Sequence, residues 1–274
     1  MVDYIYIILS KKDRDTFIAS RKLILRNLKS LSYTIIVPDD EYYLFSNISS
    51  GFNLIKESEI IGGLASKFDF KNISLKKWYL QQILKIELIL KSPDGANVLV
   101  WDGDTIPFKK IRLLSRGLYY YYKSNEYHDI YFQTISKLLG ISRSVNFSFI
   151  SQHFICRPEW ARLMINSIEK NTNKHYVDSI FEIAKGSSQH TFSEYETLGT
   201  FVNRYFFYEI DFLNANKWFR FGNTVFHSPH NKACFSSGFD FISFESWESN
   251  FSMSKRLIIK FIFFTRKFKR IFYL

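Results

Sequence analysis

The chain has 274 residues, enough to bury a full-sized core as one large domain or one domain with a tail. Hydrophobic residues make up 46% and no long polar tract interrupts them, which excludes an intrinsically disordered chain. The formal charge of +11 favours anionic partners: nucleic acid, lipid headgroups or phosphorylated substrates.

Residues 4–9 form an apolar run preceded by an early acid and no basic stretch, so they read as a first strand and not as a signal peptide. The polar stretch 10–15 opens a helix with Phe17, Ile18, Leu23, Leu25 and Leu28 as its apolar residues. Residues 34–37 make a second, β-branched strand closed by Pro38, and the order strand, helix, strand predicts a parallel βαβ unit. A helix is predicted over 78–90 and a strand over 96–101, the latter ending in Asp102-Gly103-Asp104-Thr105. A further strand is expected over 147–155, with Pro158 in the first turn of the next helix. Ser193 and Glu196 have the spacing of a capping box for a helix over 194–206. No uncharged apolar run approaches the ~20 residues needed to span a bilayer. Cys156 and Cys234 form no CxxC and no disulfide framework, which suits a reducing compartment. No linker divides the chain. The expected organisation is a mixed α/β domain over 1–250 and a basic amphipathic segment over 251–274.

The central chemical signal is Asp102-Gly103-Asp104 at the end of a hydrophobic strand, the edge of an α/β sheet where ligands bind. Two carboxylates one residue apart can reach one hard cation together. Mg²⁺ or Mn²⁺ held this way keeps positions open for phosphate oxygens and offsets charge on a departing diphosphate. An ordinary turn gives the same pattern, so the motif acquires meaning from the strand before it and the Thr105-Ile106-Pro107 after it.

Several blocks resemble the GT-A glycosyltransferases, and more closely a largely uncharacterised family of bacterial proteins assigned to sugar transfer in polysaccharide loci. They are Trp78-Tyr79-Leu80-Gln81-Gln82, Val100 to Thr105, Tyr127-His128 with Tyr131-Phe132, Phe147 to Ser151 with His153, and Phe192-Ser193-Glu194-Tyr195-Glu196. With the first strand and the stretch near His227 they run in order over residues 4 to 230. Gly103 departs from the pattern, where Ser is expected. The resemblance implies a GT-A-like, Rossmann-like mixed central sheet flanked by helices, and transfer of a sugar from a nucleotide-diphosphate donor to a hydroxyl of a bacterial surface glycan.

The resemblance also implies roles. Asp102 and Asp104 would hold Mn²⁺ or Mg²⁺, with His227 completing the shell in preference to His230, and Lys232 would meet the diphosphate. A carboxylate at 194 or 196 would take the proton from the attacking hydroxyl. Glu194 is the preferred base because the capping box already accounts for Glu196, and inversion is slightly preferred over retention. Ser10 and Asp15 would meet the nucleotide, or else cap the first helix. Gln81 and Gln82 would bind donor sugar hydroxyls, or at least one of them would simply face solvent. His128 and His153 would line the acceptor pocket, or else be buried histidines.

From Lys255 to the end the chain carries seven Lys or Arg and no acid, interleaved with Leu257, Ile258, Ile259, Phe261, Phe263, Phe264, Phe268, Ile271 and Phe272. This pattern suits an interfacial helix on anionic lipid, with the enzyme cytoplasmic and peripheral at the inner face of the membrane. The alternative is a terminal helix that packs its Phe residues on the core. No nucleic-acid motif accompanies the charge, so no nucleic-acid partner is expected. The rival classes are a retaining transferase of the same fold, a non-catalytic membrane-surface or carbohydrate-binding protein, and a metal-dependent phosphohydrolase.

Overall fold

The structure is a computed structural model that describes residues 1–68, 70, 72–185, 187 and 189–272, with side chains described as far as residue 267. The first strand, β1 (Val2–Ile8), leads through a short turn into α1 (Arg14–Asn27) and back into β2 (Ser30–Val37), which pairs with β1 in parallel. The predicted βαβ unit is therefore present. α2 (Tyr42–Ser46), β3 (Asn53–Lys56) and α3 (Glu57–Ile61) extend the sheet on the far side of β2.

α4 (Ile73–Leu90) starts five residues earlier than its apolar periodicity indicates, because the Asn72 side chain caps it by accepting from the Ser74 and Leu75 amides at 2.9 and 3.2 Å. It delivers the chain to β4 (Val98–Asp102), which pairs in parallel with the other edge of β1. The sheet order is β3-β2-β1-β4-β8, with β8 (His153–Cys156) antiparallel to β4. Only the last part of the strand expected over 147–155 is regular; Ser148 makes an isolated bridge to Ser124 instead. Buried on both sides, β4 has Val98, Leu99, Val100 and Trp101 fully enclosed, which explains why its sequence is apolar without alternation.

Two small sheets complete the body. β5 (Thr105–Pro107) pairs with β11 (Phe241–Ser243), which also carries β10 (Trp218–Phe219). β6 (Leu114–Ser115) and β7 (Leu118–Tyr122) pair with each other, and β9 (Ile210–Leu213) lies parallel to β7. Helices α5 (Asp129–Leu139), α6 (Pro158–Thr172), α7 (Tyr176–Lys185) and α8 (Glu194–Tyr205) cluster beside α4. Pro158 occupies the first turn of α6 as expected. α8 begins at the predicted residue, with the Ser193 hydroxyl accepting from the Glu196 amide at 3.3 Å. The reciprocal half of the capping box is absent, because the Glu196 carboxylate is turned inward to accept from the Ser148 hydroxyl at 2.5 Å.

After α9 (Gly222–Phe226) the chain ends in α10 (Met253–Phe272). This helix buries Ile259 and Phe263, one turn apart, against Phe219, Phe226 and Phe239. Leu257, Ile258, Phe261 and Phe264 remain exposed. Phe268, Lys269, Arg270, Ile271 and Phe272 lie outside the described side chains, and residues 273 and 274 outside the described residues. Among the described residues no helix is long and apolar enough to cross a membrane.

Candidate active site

The chain leaves β1 towards β2 on one side, whereas β4 enters on the other. The carboxyl ends of β1 and β4 therefore flank the point where strand order reverses, and in an open α/β sheet a crevice forms there. Register places Ile8 beside Asp102. The turn after β1 and the Asp102-Gly103-Asp104 turn thus meet, and they floor a cavity of about 670 Å³. The turns are packed closely. A Cβ on Gly103 would overlap the Leu9 side chain and come within 2.8 Å of the Ile8 carbonyl oxygen, so the Ser expected at 103 does not fit this arrangement. Trp101 anchors the turn from below: its indole donates to the Thr105 carbonyl at 2.9 Å and its ring stacks on His153.

One face of α4 forms a wall. Trp78, Gln81, Gln82 and Lys85 all line the cavity, three or four residues apart along the helix. The buried Lys85 ammonium sits 2.7 Å from Asp102 and 2.6 Å from Glu194, over the Tyr195 ring. Burial by itself would lower its pKa, but the two carboxylates outweigh that and raise it above the ordinary lysine value. The Tyr195 hydroxyl donates to Asp102 at 2.7 Å, and the Glu194 amide donates to Gln82 at 3.1 Å. Burial pushes the Glu194 carboxyl up, with Lys85 pulling the other way.

The opposite wall comes from the carboxyl-terminal third. β11 pairs with β5, the Thr105 and Ser243 hydroxyls lie 2.8 Å apart, and the Phe244 amide donates to the Asp104 carbonyl at 2.8 Å. This pairing brings Glu245 to the Asp104 carboxylate. Glu245 is itself held by Arg220 at 2.5 Å, by the Gln152 amide at 2.8 Å and by the Trp247 indole. Arg220 also pairs with Glu126, whose other oxygen is 2.7 Å from the His128 ring. Gln152 adopts a left-handed backbone (φ 68°), uncommon for a residue with a side chain, and its carbonyl accepts from the Asp102 amide at 2.9 Å.

Half of the sequence-derived candidates meet here. Asp102, Asp104, Gln81, Gln82, His128 and Glu194 all line the cavity. Others do not. Asp15 is exposed on α1, and it is Asp13, two residues earlier, that faces the cavity; Ser10 caps Asp13 through its amide and hydroxyl at 3.0 and 2.9 Å. Glu196 is buried against Ser148, where burial raises its carboxyl to about 7. His153 is enclosed by Trp101, Tyr122 and Phe241, with burial lowering it to about 4; it packs in the core beneath the site, its Nδ1 2.9 Å from the Ser151 carbonyl, and does not line the cavity. His227, in a left-handed conformation at the end of α9, is exposed; neither it, His230 nor Lys232 lines the cavity. Sequence reasoning missed Lys85, Asp13, Tyr195, Arg220 and Glu245. Lys85 carried a signal, a cation set among the apolar residues Ile83, Leu84, Ile86 and Leu88 in the second half of α4; Glu245 carried none.

The cavity suits a divalent cation on its own chemistry. Six carboxylates line it (Asp13, Asp102, Asp104, Glu126, Glu194 and Glu245) against the three cations Lys12, Lys85 and Arg220. Lys85 serves Asp102 and Glu194, and Arg220 serves Glu126 and Glu245, which leaves Asp13 and Asp104 without an ion pair among the described residues. Burial, then Glu245, Asp102 and Asp13, drive the Asp104 carboxyl well above the usual carboxylate range. Among the described residues no group of three or more His, Cys, Asp or Glu side chains is arranged to hold a metal alone. A metal here would need oxygens from its substrate as well as from Asp102 and Asp104, as Mg²⁺ bound through phosphates does.

Comparison with solved structures finds similarity to the galactosyltransferase LgtC in complex with donor and acceptor sugar analogues, at 11% identity over 94% of this chain and 95% of that chain, TM-score 0.46. Mouse xyloside xylosyltransferase 1 in its apo form is similar at 10% identity over 90% and 98%, TM-score 0.49. The bifunctional glycosyltransferase WbbM is similar at 12% identity, covering 97% of this chain and 51% of that one, TM-score 0.45. No curated protein matches the chain. The model of a family of unknown function, DUF6492, matches residues 20–235, and the chain belongs to that family.

Proposed function

We propose that this chain is a metal-dependent glycosyltransferase that moves a sugar from a nucleotide-diphosphate donor to a hydroxyl of a bacterial surface glycan. The observation that carries the reading is the pair Asp102 and Asp104 at the strand-order reversal, with no ion pair on the Asp104 carboxylate among the described residues and Glu194 one ammonium away from Asp102. Mn²⁺ or Mg²⁺ held by Asp102, Asp104 and the donor phosphates would supply electrophilic stabilisation of the departing diphosphate. Lys85 fixes the Asp102 and Glu194 carboxylates and offsets their charge. Lys12, at the mouth of the cavity, attracts the anionic donor, and Gln81 offers an amide to sugar hydroxyls. Glu194 takes the proton of the attacking hydroxyl, which gives inversion if it faces the side of the anomeric carbon away from the diphosphate.

Retention is the second reading, favoured by one observation. Lys85 ties Glu194 to Asp102, so this carboxylate would lie on the diphosphate side of a donor sugar whose phosphates meet Asp102. The anomeric configuration of the product, read by NMR coupling constants, separates the two.

We place α10 on an anionic membrane surface, with Leu257, Ile258, Phe261 and Phe264 entering the interface and the neighbouring Lys and Arg meeting headgroups. Removing the helix would uncover Phe219, Phe226 and Phe239, so charge reversal is the cleaner test. Lys255→Glu with Lys260→Glu is expected to abolish sedimentation with phosphatidylserine vesicles at 0.1 M salt. Undiminished sedimentation refutes the placement.

The transferase reading is tested by thermal shift with nucleotide diphosphates and nucleotide sugars, each with Mn²⁺, Mg²⁺ or chelator. A nucleotide at ~100 times its dissociation constant adds about 2.7 kcal/mol of stability. The shift is expected to need metal and to disappear in Asp102→Ala. A folded protein that responds to no nucleotide would instead be a binding module.

A further inference from the structure

The cavity has a second end. At one end of the α4 face, Lys85 meets the carboxylates; one helical turn back stand Gln81 and Gln82, and two turns back, ~10 Å along the axis, stands Trp78. Around Trp78 the lining changes from charged to aromatic. The His190 ring lies 4.4 Å from it, the Tyr131 ring stacks nearly parallel at 6.5 Å, and His128 sits 4.8 Å from Tyr131. Trp78 is only half-buried and His190 is exposed, although both line the cavity. Tyr131 is buried and backs Trp78, but rings packed only for core stability would all be covered; Trp78 and His190 instead form the wall of an open cavity that also contains the carboxylates.

From this juxtaposition we propose that Trp78, with His190 and Tyr131, is a stacking platform for the acceptor, and that the acceptor presents a pyranose ring to it. The proposal rests on the transferase reading and assigns it a substrate class. A pyranose has one face of axial C–H groups that packs on an aromatic ring, and a rim of hydroxyls that needs polar partners. The platform supplies the first requirement. The second is met along the same helix face by the Gln81 amide, with the His128–Glu126 pair at 2.7 Å on the neighbouring wall. The helix acts as a ruler, since a sugar ring beside Lys85 and Glu194 and another against Trp78 share one face of α4. A sugar on Trp78 therefore directs a hydroxyl back towards Glu194. A lipid phosphate or a peptide hydroxyl would find no comparable flat apolar partner there.

The test uses the full chain and a panel of methyl pyranosides (glucoside, galactoside, mannoside, N-acetylglucosaminide) in saturation-transfer NMR. UDP with Mn²⁺ in thermal shift is the independent readout for donor and fold. In the wild type at least one pyranoside is expected to receive saturation, strongest on the axial protons of one face. Trp78→Ala is expected to weaken it about tenfold, equivalent to ~1.4 kcal/mol, and Trp78→Phe to restore part of it. The UDP shift stays as in the wild type for both variants. A wild type that receives UDP but transfers saturation to no pyranoside overturns the platform, as does equal transfer in Trp78→Ala. Pyranoside binding that depends on Trp78, with no shift from UDP or from any other member of the nucleotide panel above, upholds the platform and overturns the transferase reading instead.

Discussion

Lys85 is where the site can be challenged most directly. Lys85→Met keeps the length of the side chain and removes the ammonium that Asp102 and Glu194 share at 2.7 and 2.6 Å. Both carboxylates then lie next to each other with no cation, one of them almost fully buried. Removing one partner of a buried ion pair costs about 3–5 kcal/mol, a large part of the ~5–15 kcal/mol that holds a typical domain folded. Urea unfolding in chelator at pH 7.5 should show that loss as a lower midpoint at unchanged slope. The pH dependence has a definite sign. Burial already raises the Glu194 carboxyl, and without Lys85 it rises further, so a proton substitutes for the ammonium as pH falls. The deficit therefore shrinks between pH 8 and pH 5. Adding Glu194→Gln to Lys85→Met should recover most of the loss, because the second buried charge is gone while Asp102 keeps the Tyr195 hydroxyl. A deficit below ~1 kcal/mol, equal at both pH values and unrelieved by Glu194→Gln, would falsify the clamp.

Three further outcomes follow from single side chains. Asp104→Asn should raise the melting temperature of the metal-free protein by a few degrees, since it removes a half-buried carboxylate that has neighbouring acids and no ion pair, yet abolish the metal-dependent nucleotide shift; loss of both stability and binding contradicts the account of Asp104. Glu196, raised to about 7 by burial, is protonated in the folded state below that pH, so its penalty builds from pH 4.5 to 7 and then stays constant. Glu196→Gln should gain on the order of 2–3 kcal/mol at pH 8 and almost nothing at pH 4.5, as measured by chemical denaturation. His153, lowered to about 4, is neutral in the folded core; its contribution is fully present above pH 6.5 and lost as pH falls towards 4. His153→Phe should flatten the stability profile across that window, and a profile as steep as the wild type's would place the acid sensitivity elsewhere.

Local pattern was informative where neighbours along the chain do the physical work. The unbroken apolar run of β4 and the acids that end it needed only burial and strand geometry to be read, and so did the βαβ unit of β1, α1 and β2. The Ser193 cap was legible too, because a hydroxyl three residues from an amide needs nothing remote. The fate of Glu196 was not. Whether it returns to its own helix or turns to Ser148 depends on a segment 48 residues away. In the turn after β1, Asp13 and Asp15 are indistinguishable by composition. The tight turn before α1, in which Ser10 bonds Asp13, decides which one faces the cavity. The basic tail told a similar story: alternating charge and Phe fitted both a lipid-facing and a core-packed helix, and the structure buries the Ile259 and Phe263 stripe while leaving the adjacent stripe exposed.

The sequence by itself determined the α/β class, the strand that ends in Asp102 and Asp104, and the helix face that carries Gln81 and Gln82. These follow from periodicity and short-range hydrogen bonding. Tertiary structure alone decided which charges share the cavity: Lys85 between Asp102 and Glu194, Glu245 and Arg220 delivered by the pairing of β11 with β5, and His153 and His227 outside it. The reason is physical. An ion pair or a strand pairing between separate elements is set by how whole elements pack, and a short window of sequence carries no record of that packing.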